Sequence, residues 1–253
     1  MINPSIASVR WALHAALSSV LLLTGCAHFA APLPEDKPPQ VLRQLPLQFS
    51  AQDKLQWQTM RLPGKLLTAY RVAPQGPRDA LLAEAASSAS MLRQALHIHP
   101  EQLGALQFDW RVDQLIPGAD MRQRDAEDSP VRLIMVFEGD RQRFSAKNNM
   151  LSELTLSLTG EPLPYATLMY VWCNDCPAES VIVNPRTDRI RKLAVESGAD
   201  RVGQWLNYRR DIRADFKKAF GEEPGALLGL AIMTDTDNTR STTRAWYGTI
   251  RLD

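Results

Sequence analysis

From residue 45 onward the chain is a series of short apolar or alternating runs separated by Gly, Pro, Asp and Asn, with no regular alternation of strand-like and helix-like segments. That pattern narrows the fold to sheets that bury one face against each other, and argues against a parallel sheet wrapped in helices. The clearest run is Leu106-Gln107-Phe108-Asp109-Trp110-Arg111-Val112, in which every second residue is apolar, as a strand with one buried face requires. Strands are expected at residues 55–62, 66–72, 80–86, 106–112, 131–137, 165–172, 180–183, 190–196, 204–208, 227–233 and 245–252, while residues 87–98 fit a helix or a strand. Two helices interrupt them. Residues 146–158 carry Met150, Leu151, Leu154 and Leu158 at helical spacing, with Gly160 as a stop. Residues 211–220 carry Ile212, Phe216 and Phe220 on one face, then Lys217 and Lys218 in the last turn and Gly221 as a C-cap. The expected fold is mainly β, a jelly-roll-type β-sandwich with two inserted helices.

The first 44 residues read differently. An apolar run over residues 11–23 follows a single positive charge, Arg10, and ends in Leu23-Thr24-Gly25-Cys26. The run is too short to span a bilayer comfortably. A charged-then-apolar layout closed by a small residue before cysteine resembles a bacterial lipoprotein signal. The resemblance implies cleavage after residue 25 and lipidation of Cys26 (thiol diacylation, hence palmitate-type chains). Residues 27–44 are rich in Ala, Pro and Gln and read as a tether. The organisation expected is therefore a signal over 1–25, a lipidated cysteine and tether over 26–44, and one sandwich domain over 45–253. The expected address is the outer membrane, facing the periplasm, with the membrane as a partner through Cys26. With 29 Lys and Arg against 28 Asp and Glu, the net charge of +1 provides no basic field to attract nucleic acid.

No Walker loop, nucleophile elbow, zincin helix or dinucleotide fingerprint occurs. Once Cys26 is set aside for lipid, Cys173 and Cys176 remain as a pair, for which an exported protein favours a disulfide. Redox-active thiols and a zinc site completed by His97 and His99 are the alternatives. Thr234-Asp235-Thr236-Asp237-Asn238-Thr239 follows an apolar strand, and the oxygens of Asp235, Asp237 and Asn238 can converge on a hard cation, calcium being the candidate cofactor. The more usual use of these residues is a turn in which they bond to local backbone. Trp205 and Trp246 lie among charged neighbours and are candidate stacking surfaces for sugar rings, whereas Trp110 alternates with core residues. Arg210 is a further ligand-binding candidate, which Asp211 or Asp235 could pair. Glu138, Asp140, Glu161 and Asp235 sit at strand ends or loops, but spacing alone assigns no hydrolytic pair.

Several stretches carry a family resemblance. Phe108-Asp109-Trp110-Arg111-Val112, Pro130-Val131-Arg132-Leu133, the segment PYATLMYVW at residues 164–172, Ala219-Phe220-Gly221-Glu222, and MTDTDNT at residues 233–239 with Ala245-Trp246-Tyr247-Gly248 are similar to the bacterial family grouped as domain of unknown function 3047. The resemblance covers nearly all of residues 55–253. It implies an exported single domain with a fold similar to galactose-binding-like sandwiches, and no particular activity. Cys173 and Cys176 fall outside the matching motifs, which makes them peripheral to any shared role.

These observations favour a lipid-anchored, non-catalytic glycan-binding module, with Trp205, Arg210, Asp235, Asp237, Asn238 and Trp246 as its contacts and an envelope glycan as its ligand. A glycan-active hydrolase and a structural or assembly lipoprotein that binds another envelope protein are the alternatives.

Overall fold

The structure, a computed structural model, describes residues 45–253; the expected signal, Cys26 and the tether lie outside the described residues. Strands in chain order are β1 (Leu47–Phe49), β2 (Gln58–Arg61), β3 (Ala69–Gln75), β4 (Arg78–Ala86), β5 (Ala89–Ile98), β6 (Ala105–Val112), β7 (Ser129–Phe137), β8 (Ala166–Cys173), β9 (Val181–Val183), β10 (Ile190–Ser197), β11 (Trp205–Asp211), β12 (Leu227–Asp235) and β13 (Thr242–Leu252). Helix α1 (Ala146–Thr159) lies between β7 and β8, and α2 (Ile212–Phe220) between β11 and β12. Sheet I has the order β11-β6-β13-β4-β3, with β1 added to β13; sheet II runs β2-β5-β12-β7-β8-β10-β9. All pairings are antiparallel except β8 with β10. The architecture is a mainly β sandwich of two sheets with two inserted helices, as the alternation predicts.

Alternation explains the core. Val131, Leu133, Met135 and Phe137 point from sheet II into the interior with Leu230, Ile232, Leu168 and Tyr170, and meet Phe108, Trp110, Leu81 and Tyr247 of sheet I. Phe108 stacks on Tyr170 and Tyr208 at ring separations of 5.7 and 5.2 Å and meets Trp110 edge-on at 4.9 Å. Each such ring removed from water contributes roughly 1.5–3 kcal/mol. Phe216 of α2 packs on Phe137 at 4.7 Å, which binds that helix to the core.

Local signals place the helix ends. Ser145 accepts from Asn148 N–H at the start of α1, Asp211 accepts from Ala214 N–H at the start of α2, and Gly160 and Gly221 close the two helices in left-handed backbone. Residues 87–98, ambiguous in sequence, contain the whole of β5. The expected strand at 55–62 is shortened, because Ser50 and Asp53 cap a 3-10 turn over Ala51–Gln56. Pro74 lies within β3, which is an edge strand, where a missing N–H costs no ladder bond, and the chain turns just after it at Gly76 and Pro77.

The long connection between β6 and β7, residues 113–128, is pinned to sheet II. Ile116 carbonyl accepts from Asn174, Met121 carbonyl from Lys192, and Glu127 carbonyl from Arg132. No helix among the described residues is long and apolar enough to cross a membrane.

Candidate functional site

Sheet I carries an aromatic row on its outer face. Register puts Trp205 opposite Arg111, Arg111 opposite Trp246, Trp246 opposite Leu82 and Leu82 opposite Arg71, so one row crosses five strands. Directly paired residues share a face. Trp246 is only 8% exposed, packed with Ala73, Ala80 and Leu82, and its ring N–H has no hydrogen-bond partner among the described residues. It is thus the floor of this surface rather than a free stacking ring, a correction to its expected role. Trp205 is half-buried against that floor, with the Arg78 guanidinium 4.8 Å from its ring centre. Arg78 also donates to Asp109. Burial holds the Asp109 carboxyl above its usual range, against the pull of Arg78. Gly248 makes room for that carboxylate, since a Cβ at 248 would lie 2.3 Å from an Asp109 oxygen. Asn207, opposite Asp109, is exposed beside them.

The row leads into a polar cleft of about 350 Å³ bounded by Glu84, Asp113, Gln114 and Arg244. Asp113 sits between Arg244 at 2.8 Å and Arg111 at 3.2 Å. Aromatic surface, charged groups and amides therefore lie along one line on sheet I.

The remaining expected contacts lie elsewhere. Asp235 is the last residue of β12, 3% exposed on the outer side of sheet II, and takes two hydrogen bonds from Arg132 at 2.8 and 2.9 Å. Burial pushes its carboxyl up to about 6 even with Arg132 drawing it down. Asp237 pairs with Lys65. Asn238 donates through its backbone and its amide to Asp128, which also accepts from Thr239 N–H and hydroxyl. Oxygens of Asp128, Asp235 and Asp237 come within 4.8 Å of one another. Each already has a cation or several donors, however, so calcium would have to displace Arg132 and Lys65. The turn reading describes residues 236–239 as they stand, with Asp128 from a distant loop as the acceptor.

Arg210 pairs with Asp215 at 2.8 Å and with Glu179 at 2.7 Å, not with Asp211, which caps α2, nor with Asp235. Its fork is filled by two carboxylates. Glu161 is likewise held by both guanidinium nitrogens of Arg93, and Asp140 caps the 3-10 turn Arg141–Arg143. Cys173 and Cys176 form a disulfide with Cα atoms 6.0 Å apart, both cysteines buried. The zinc alternative fails on register. Ile98, between His97 and His99, pairs with Leu227, which pairs with Phe137 and so reaches Ala166, the opposite end of β8 from Cys173.

A network that sequence reasoning missed lies under residues 113–128. Lys192, fully buried, donates to Glu127 at 2.7 Å, and Glu127 also takes the amide of Asn184. Burial and then the charge of Arg132 lower the Lys192 ammonium to about 8. Half of the signal was present: Arg132 is a single cation inside an otherwise apolar strand run, whereas Lys192 stands beside Arg191. A lone charge of that kind needs a buried partner.

Among solved structures, the xylan binding module CBM86 from Roseburia intestinalis aligns at 12% identity over 83% of this chain and 96% of that chain, with a TM-score of 0.34. The xyloglucanase domain of NopAA, a type three effector from Sinorhizobium fredii, aligns at 7% identity over 78% and 97%, TM-score 0.37. Endoglucanase 3 of Trichoderma harzianum, family GH12, aligns at 7% identity over 83% and 99%, TM-score 0.40. Likeness at this level carries no argument about site or ligand. A search of curated proteins gives no match. A family model does match, over residues 55–251, which span β2 to β13 and both helices. The chain therefore belongs to the family described as "Protein of unknown function (DUF3047)".

Proposed function

We propose that this chain is a non-catalytic glycan-binding module whose ligand lies along the outer face of sheet I, from Trp205 over Arg111 into the cleft at Asp113 and Arg244. The observation that carries the reading is the row itself: an indole flanked by Arg78, Asp109 and Asn207 and continuous with a polar cleft. Sugar rings need that combination. Their C–H faces pack on aromatic surface, and their hydroxyls need donors and acceptors already positioned. Arg78 rests on the Trp205 ring while bonded to Asp109, so a ligand can take over the ring as Arg78 turns to its hydroxyls. The hydrolase alternative has less support, because three of its four candidate carboxylates, Glu161, Asp140 and Asp235, are engaged in pairs or caps and leave Glu138 without a second free acid. We further propose that the module is anchored through lipid on Cys26 to the outer membrane and faces the periplasm, where it would meet an envelope glycan.

The test is retention of labelled protein on an array of envelope and plant-type glycans, paired with an assay for newly released reducing ends. Retention on one glycan class without release is the expected result. Release of reducing ends would make the protein an enzyme, and no retention on any glycan would remove the reading.

A further inference from the structure

Helix α1 has its polarity reversed relative to a core-docking helix. Its buried residues are Asn148 and Ser152, while Met150, Leu154 and Leu158 are 62%, 52% and 59% exposed. At a spacing of four these three form one stripe. The polar side is specifically held: Asn148 donates to Asp188 at 2.6 Å and accepts from the Thr187 hydroxyl at 2.7 Å, and Arg141 bonds Ser152. The apolar stripe is therefore turned outward by fixed contacts. At its C-terminal end Leu158 borders a cleft of about 590 Å³ whose wall includes Met60, Leu62 and Arg61 of the sheet II edge.

Unpaired cations flank the stripe: Lys147 lies one turn before Met150 on the same face, and Arg61 lines the cleft that Leu158 borders. Both are exposed, and neither has a carboxylate in ion-pair range among the described residues, whereas Arg141 is committed to Ser152 and the Phe144 ring. Glu153 is the exposed acid on the helix itself. An apolar stripe beside unpaired cations matches a bilayer surface with anionic headgroups: Leu and Met enter the acyl boundary while Arg and Lys stay at phosphate level. It fits a second copy poorly, since three side chains fall far short of the roughly 800 Å² per partner of a stable interface.

We propose that the α1 stripe, with Arg61 and Lys147, docks the domain onto an anionic lipid surface. The proposal draws on the reading that Cys26 is lipidated, which keeps the domain near a bilayer; residues 27–44 can span at most about 60 Å. Docking through α1, on the sheet II side, leaves the outer face of sheet I directed away from the lipid.

The test uses the signal-free lipidated chain in phosphatidylglycerol-containing vesicles, labelled with an environment-sensitive fluorophore at Leu154→Cys or, as a control on sheet I, at Asn207→Cys. Lipid-borne quenchers should dim the 154 label several-fold more than the 207 label. Replacing phosphatidylglycerol by a neutral lipid, or introducing Arg61→Glu with Lys147→Glu, should abolish the difference. Equal access of aqueous iodide to both labels on anchored protein would overturn the proposal. So would a 154 label shielded only at high protein concentration, which marks a second copy. A chain that takes no lipid and stays in solution overturns the lipoprotein reading alone. Docking is then read by adding the vesicles to that chain: partition that falls about tenfold in Leu154→Gln supports it, and absence of partition overturns it.

Discussion

At the scale of residues, the buried charges on the outer side of sheet II are the most consequential feature. Arg132 is committed to Asp235, and Lys192 to Glu127, with almost no water access. Removing Asp235 leaves the buried Arg132 with only the more distant Glu127 carboxylate at 3.9 Å, so Asp235→Ala is expected to cost about 3–5 kcal/mol, measured by urea unfolding at pH 7. The same groups set a pH dependence. Asp235 is raised to about 6, so the folded state takes up its proton before the unfolded state does, and stability falls as pH rises from about 4 to 6. Lys192 is lowered to about 8 from 10.5, so the folded state releases its proton first. Stability therefore climbs between those values, by at most about 1.4 kcal/mol per pH unit. Unfolding at pH 7.5, 8.5 and 9.5 should show that upper limb, and Lys192→Met should flatten it; a flat limb in the unmodified protein would refute the coupling. Residue types alone hinted at this network, but its partners could not be read from sequence. Glu127 and Asp128 arrive from a loop more than fifty residues away from Lys192 and a hundred from Asp235.

At the scale of elements, strand positions followed from alternation and helix ends from caps, because both are local effects. What locality could not supply was orientation. The spacing of Met150, Leu154 and Leu158 predicts a helix, yet it does not say that Asn148 and Ser152 will find buried partners on the other side. A specific polar seam decided which face turned inward. Two substitutions separate the faces. Leu154→Gln is expected to change stability by less than about 0.5 kcal/mol, as at an ordinary surface position. Asn148→Ala should cost about 1–3 kcal/mol, since it strands the buried Thr187 hydroxyl. Urea midpoints of the two variants check this, and a larger loss at Leu154 than at Asn148 would mean the stripe is packed in the folded protein.

At the scale of the whole molecule, a sandwich was legible and the site was not. Asp235 and Trp246 are near in sequence, and the family resemblance groups their motifs. But residues 236–241 carry the chain from sheet II to sheet I, so the two side chains end on opposite outer faces. The six expected ligand contacts thus disperse. Asp235, Asp237, Asn238 and Arg210 serve ion pairs or loop anchoring, and Trp205 with Trp246 remains on the surface that continues into the Asp113–Arg244 cleft. Sheet membership is set by long-range packing, which no local pattern encodes. Glycan binding on sheet I is read from the thermal shift of the unmodified protein and of Trp205→Ala against the same glycan series, each with and without chelator. A ligand at a hundredfold excess over its Kd stabilises by about 2.7 kcal/mol. The expected result is a glycan-specific rise in Tm that survives the chelator and is lost in Trp205→Ala. No rise with any glycan, or a rise that Trp205→Ala retains in full, would contradict it.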